Sequence, residues 1–179
     1  MSNQPTINEL LERNKELAKT YTPKPTIAEI KSEGHPLPKV LVVTCGDPRC
    51  VPEQFLGATA GEIAVFRNVC GHVAAEIPFI LYMDLILHFD EVMVVHHTDC
   101  GAFQFDDATV RKVLKVRAPE HAAKVDEYTE FGVITDLDQS IKEDIAALKS
   151  SPLMRKELVS EIRGFAFDIK TGLLREVEA

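Results

Sequence analysis

Three short apolar runs constrain the fold of this chain more than any other feature: Lys39-Val-Leu-Val-Val-Thr44, Ile63-Ala-Val-Phe66 and Glu91-Val-Met-Val-Val-His96. They are continuous rather than alternating, and the first and third are rich in valine, as expected of parallel strands buried on both faces. Between the second and third lies Val73–His88, whose pattern predicts a helix, and Asp106–Val116 and Asp136–Lys149 predict later helices. Strands alternating with helices predict an α/β fold with a mainly parallel central sheet flanked by helices. Near the end, Ile162, Phe165, Phe167 and Ile169 precede a Lys170-Thr-Gly172 turn and Leu173–Val177. That arrangement predicts a C-terminal edge strand or hairpin.

Ahead of the first strand, Ile7, Leu10, Leu11, Leu17, Ala18 and Tyr21 form an apolar stripe at helical spacing, predicting a helix over 6–20. Thr22–Pro38 then carries Pro23, Pro25, Pro36 and Pro38, with a short helix expected near Ile27–Lys31. Residues 1–38 are therefore expected to form an N-terminal helical arm, and residues 39–179 the α/β domain. A lone amphipathic helix needs a surface to cover. A partner subunit is the expected surface, and packing on its own domain is the plain alternative.

The remaining composition excludes several classes of partner. Twenty Lys and Arg against 28 Asp and Glu give 20 − 28 = −8, which argues against nucleic acid or an anionic membrane as a partner. The most apolar stretch, Ile77 to Phe89, is interrupted by Asp84 and is too short to span a bilayer. The polar start lacks the apolar core of a secretory signal, so a soluble cytoplasmic protein is expected. Its four Cys are then thiols or metal ligands before they are disulfides.

The chemistry-bearing residues sit at the ends of strands. Thr44-Cys-Gly-Asp-Pro-Arg49 follows the first run and His97-Thr-Asp-Cys100 follows the third. Ligands of open α/β sheets bind beyond the carboxyl ends of the strands, so both segments are expected at one sheet edge. A free Cys is most often a small buried hydrophobe. Cys45 and Cys100 together, with an imidazole and polar neighbours, instead make an N/S donor set that suits Zn²⁺. Three protein ligands leave a tetrahedral ion one further position, as in catalytic rather than structural zinc sites. His96 and His97 point to opposite faces of a strand, and the residues themselves leave open which one is the ligand.

Asp47 has two sensible roles. It can accept a hydrogen bond from a water at the metal while Arg49 holds its other oxygen, or it can take the fourth position itself and shut the site. A simple turn at Asp47-Pro-Arg49 is the plain alternative. Cys50, and Cys70 within Arg67-Asn-Val-Cys-Gly-His72, are expected to be structural thiols, although Cys70-Gly-His72 could offer metal ligands. Asp106-Asp107 is expected to begin a helix rather than form a second metal site. A thiol phosphatase is excluded because Val51 stands where a Cys-x₅-Arg loop needs arginine.

Cys45-x-Asp47-x-Arg49 followed by His97-x-x-Cys100 resembles the hallmark of the β-class carbonic anhydrases. The likeness extends to Arg67-Asn68 with Gly71, to His96-His-Thr-Asp-Cys-Gly101 and to Arg163-Gly-Phe-Ala-Phe-Asp168, and so covers most of residues 39–177. Gly46 and Pro48 around Asp47, and Val69-Cys70 after Asn68, depart from the usual pattern. The compact length is similar to the small-subunit microbial and fungal branch, which also includes carbonyl sulfide hydrolases. The resemblance implies zinc bound by Cys45, His97 and Cys100, Asp47 and Arg49 as a catalytic dyad, and dimers that exchange N-terminal helices and often pair into tetramers. The implied activity is reversible hydration of carbon dioxide to bicarbonate and a proton. Hydrolysis of carbonyl sulfide is the second expectation, and a non-catalytic zinc-stabilised module with Asp47 as a permanent ligand is the third.

Overall fold

The computed structural model describes residues 4–178; Met1–Asn3, the first residues of the polar start and of the expected arm, and Ala179, the last of the expected α/β domain, lie outside the described residues. The chain divides into two compact units, one ending at Pro36 and the other running from Leu37 onward.

The first unit contains α1 (Ile7–Ala18) and α2 (Ile27–Glu33). Both begin with a reciprocal capping box. The Thr6 hydroxyl accepts from the Glu9 backbone N–H at 3.3 Å while the Glu9 carboxylate accepts from the Thr6 N–H at 2.6 Å, and Thr26 and Glu29 repeat the pattern. Gly34 ends α2 in the left-handed conformation. Neither helix buries a residue, and Ile7, Leu10, Leu11 and Leu17 of α1 are all exposed.

In the second unit the chain runs β1 (Val40–Cys45), α3 (Pro52–Phe55), β2 (Ile63–Asn68), α4 (Ile77–Leu87), β3 (Glu91–His97), α5 (Asp107–Arg117), α6 (Ala122–Asp126), α7 (Leu137–Ser150), α8 (Lys156–Val159), β4 (Ile162–Phe167) and β5 (Leu174–Val177). The helix expected over 73–88 starts as a 3-10 turn at Ala74–Glu76 and becomes α4 where Pro78 occupies the first turn. The short helices α3, α6 and α8 span too few residues for a hydrophobic period to show in the sequence.

The sheet order is β2-β1-β3-β4-β5, with the first four strands parallel and β5 antiparallel on β4, the expected C-terminal hairpin. Chain order reverses across β1, because β2 lies on one side of it and β3 on the other. That makes the carboxyl ends of β1 and β3 the switch point at which neighbouring loops part.

Alternate strand residues feed two apolar clusters. Leu41, Val43, Val92 and Val94 pack with Ile80 and Leu87 of α4 and with Ile141, Ile145 and Leu148 of α7. Val42, Val95 and Phe167 pack with Cys50, and Phe55 stacks on Phe167 at 4.3 Å between ring centres. Full burial of each large apolar side chain stabilises by roughly 1.5–3 kcal/mol. Gly164 lets α7 lie directly on β4, since a β-carbon there would overlap the Ile141 and Ile145 side chains. Asp84, the acid that interrupts the apolar stretch, is buried and held by Arg155 through two hydrogen bonds of 2.7 and 2.8 Å.

Candidate metal centre

Cys45 is the last residue of β1, His97 the last of β3, and Cys100 lies in the turn that follows. All three are buried, and their donor atoms lie within 4.8 Å of one another. The two sulfurs are 3.8 Å apart. Two thiolates about 2.3 Å from a shared tetrahedral ion are separated by about the same distance, whereas a disulfide is about 2.05 Å. His97 Nδ1 is 2.9 Å from the Thr98 carbonyl oxygen. That oxygen can only accept, so Nδ1 carries the hydrogen and, in the neutral ring that binds a metal, the lone pair is on Nε2. Nε2 is buried and has no hydrogen-bond partner. An imidazole lone pair beside two buried thiols fits a borderline-soft cation such as Zn²⁺.

The titration of these groups reflects the same crowding. Contact with Cys100, reinforced by burial, pushes the Cys45 thiol up to about 12. On His97 burial opposes charge, yet the Cys100 and Cys45 sulfurs outweigh it and lift the imidazole to about 10. A positive charge among these three donors is favourable. The structure brings His97 to the sulfurs and sends His96 to the opposite face of β3.

Arg49 organises the loop after β1. Asp47 Oδ1 accepts from the Arg49 backbone N–H at 2.8 Å and from Nε at 3.0 Å, while Oδ2 accepts from Nη2 at 2.8 Å. This fork holds the Asp47 carboxyl down to about 2. The same guanidinium donates from Nη1 to Asp99 Oδ2 at 2.7 Å and from Nη2 to the Asp99 carbonyl at 2.9 Å. Arg49 thus ties the two sequence segments together across fifty positions. Asp47 Oδ2 lies 4.0 Å from His97 Nε2 and, gripped by Arg49, stands outside the cluster of three donors.

Two positioning residues were not assigned a role from the sequence. Arg67 of β2 donates to the Cys45 carbonyl at 3.2 Å and to the Asp47 carbonyl at 2.7 Å, fixing the loop from the other side. Asp99 sits at φ 55°, in the left-handed region, which turns its carboxylate and carbonyl toward Arg49. Its place between His97 and Cys100 was the available signal.

A cleft of about 510 Å³ opens beside the donors, lined by Asp47, Asn68, Val69, Cys70, Gly101 and Ala102 together with Cys45 and Cys100. A second cleft of about 190 Å³ shares Val69, Cys70, Gly101 and Ala102 and continues along Phe105, Val110, Phe131 and Val133. Cys50 is buried, with its sulfur 3.2 Å from Thr44 Oγ1, whereas Cys70 lines both clefts and reaches the Gly132 carbonyl at 2.7 Å. Asp106 caps α5 by accepting from the Thr109 N–H at 2.6 Å.

Residues 40–174 match the family model described as carbonic anhydrase. The chain belongs to the β-class carbonic anhydrase family. Members of that family are enzymes, and this chain is one. It is 27% identical over 143 residues to β-carbonic anhydrase 1 of Mycobacterium tuberculosis, covering 79% of this chain and 83% of that protein. It is 25% identical over 160 residues to a carbon disulfide hydrolase of Acidianus, covering 77% of this chain and 76% of the relative. Among solved structures, the carbonic anhydrase of Streptococcus mutans superposes with a TM-score of 0.79 at 29% identity, covering 99% of this chain and all of that one. Among the described residues, no helix is long and apolar enough to cross a membrane.

Proposed function

We propose that this chain catalyses the reversible hydration of carbon dioxide to bicarbonate and a proton, with zinc held by Cys45, His97 and Cys100. The observation that carries this reading is the Arg49 grip on Asp47, which parks a carboxylate 4.0 Å from His97 Nε2 beside three convergent donors. Three protein donors rather than four is the ligand count of catalytic zinc. Zinc in such a site acts as a Lewis acid that makes a water molecule acidic near neutral pH.

The chain's own residues supply the rest. Asp47, ionised at any physiological pH, accepts a hydrogen bond from the attacking water and orients it, while Arg49 keeps the carboxylate in one rotamer. Val69, Gly101 and Ala102 form an apolar wall suited to a linear substrate without charge. The N-terminal arm, with its exposed Ile7, Leu10, Leu11 and Leu17, docks on a second copy of the chain, so the working unit is a dimer or a pair of dimers.

A second reading rests on the similarity to carbon disulfide hydrolases and on the apolar extension of the cleft along Phe105, Val110 and Phe131. Carbonyl sulfide and carbon disulfide offer the same electrophilic carbon with a larger, more polarisable end. One zinc-loaded preparation assayed with all three substrates decides. Rapid carbon dioxide hydration with negligible sulfide release is the expected result. Sulfide release that outruns hydration transfers the function to the second reading, and stoichiometric zinc without turnover of any substrate makes the site structural.

A further inference from the structure

A second cluster of donors lies on the other face of β3. His96 is fully buried, Asp144 of α7 is 5% exposed, and His72, in the loop after β2, reaches the surface. One ligand atom from each lies within 4.8 Å of the others. Asp144 Oδ1 accepts the Val73 N–H at 2.9 Å, which leaves Oδ2 facing two imidazoles, His72 Nδ1 at 2.8 Å and His96 Nε2 at 3.0 Å.

The tautomer of His96 follows from its other nitrogen. Ser140 donates its hydroxyl hydrogen to the Leu137 carbonyl at 2.9 Å, so its oxygen accepts from His96 Nδ1–H at 2.8 Å. In neutral His96 the lone pair is therefore on Nε2, 3.0 Å from a carboxylate oxygen. Nε2 is buried and makes no hydrogen bond in this orientation. A buried nitrogen lone pair beside a carboxylate oxygen is left unpaired unless a cation takes both as ligands.

We propose that His72, His96 and Asp144 form a second metal site, for a divalent transition ion of the Zn²⁺ and Co²⁺ kind, separate from the Cys45–His97–Cys100 centre and independent of the function assigned to it. Two imidazoles and one carboxylate favour such ions over Ca²⁺ or Mg²⁺, which take oxygen ligands. The supports of a metal site are present too. Ser140 fixes the ring of His96, and the Val73 N–H fixes the carboxylate. Gly71, at φ 89°, brings the loop carrying His72 onto the strand. A β-carbon there would sit 3.1 Å from His96 Cδ2 and from backbone atoms of Thr44 and Val95. His72, with a quarter of its side chain exposed, gives the ion a way in.

Cobalt titration of the full-length chain tests the proposal, because only a sulfur-ligated Co²⁺ shows thiolate-to-metal charge transfer. The expected result is two Co²⁺ per chain, one with that band and one without. His72→Ala and His72→Gln each keep the band and bind one ion. The Cys45→Ser, Cys100→Ser double variant loses the band yet still binds one ion, which tests the second site without disturbing it. Ser140→Ala weakens the band-free ion about 10–100-fold and leaves the other unchanged. One ion per wild-type chain at saturating Co²⁺ overturns the proposal and leaves His96 as a buried structural histidine beside Asp144. Two ions in both His72 variants, or none in the double Cys variant, overturn it equally.

Discussion

His96 and His97 are neighbours in the chain whose rings act on opposite faces of β3. His97 keeps a free Nε2 beside the sulfurs of Cys45 and Cys100, and His96 reaches back to Ser140 at 2.8 Å and Asp144 at 3.0 Å. Parallel pairing with β4, His96 opposite Ala166 and His97 opposite Phe167, fixes which ring goes where. A slip of one residue would exchange them.

His97→Ala should therefore abolish metal binding at the Cys45–Cys100 centre, while His96→Ala should retain it. The loss in His97→Ala should exceed the roughly 10–100-fold that removing an outer hydrogen-bond partner costs. Metal analysis and cobalt thiolate absorption measure both, and sulfur-ligated metal retained in His97→Ala would falsify the ligand assignment.

Arg49→Lys should lower kcat/KM for carbon dioxide by about 10²-fold at unchanged metal content, because an ammonium cannot fork onto both Asp47 oxygens and the carboxylate drifts by an ångström or so. Asp99→Asn should cost less, on the order of tenfold, since it removes one charge-assisted bond to Arg49 and keeps the carbonyl contact. A stopped-flow hydration assay on the two variants ranks them, and the reverse order sinks the positioning role of Arg49.

Arg155→Met should destabilise the fold by about 2–3 kcal/mol, somewhat below the ~3–5 kcal/mol for fully buried pairs because Arg155 is partly exposed. The bonds from Arg155 hold the Asp84 pKa below its ordinary value. A carboxylate depressed in the folded state contributes stability that is complete above its unfolded pKa of about 3.9 and is lost as pH falls through the folded value. Urea unfolding at pH 7, 5 and 3 should show the wild-type advantage over Arg155→Met full at neutral pH and shrinking toward pH 3. A gap that widens in acid contradicts this account of Asp84.

Leu10→Glu with Leu17→Glu should shift the chain to a smaller assembly without loss of helical signal or of bound metal. Both side chains are exposed on α1, where acids are compatible with the helix itself. Sedimentation velocity reads the assembly, and an unchanged sedimentation coefficient removes the arm from the subunit contact.

Much of the fold was legible in the chain. Val40–Thr44, Ile63–Phe66 and Val92–His96 are short valine- or isoleucine-bearing runs, and strand formation follows from local side-chain sterics and burial on both faces. The helices α5 and α7 were visible because their apolar residues repeat over three or more turns. The short helices α3, α6 and α8 were not, because four or five residues carry no period. Cys45 and His97 at the ends of neighbouring strands could be placed at one sheet edge from strand positions alone.

What the sequence determined, then, were the strands, the long helices and the types of donor, all of which depend on residues within a turn or two of each other. Only the tertiary structure set the His97 ring beside both sulfurs with His96 on the opposite face of β3, joined Arg49 to Asp99 across fifty positions, and set His72 against Asp144 across seventy-two. Those contacts depend on β3 lying beside β1 and on α7 lying over β4 at Gly164. Such neighbours are selected by the packing of the whole core, and no local pattern in the chain records them.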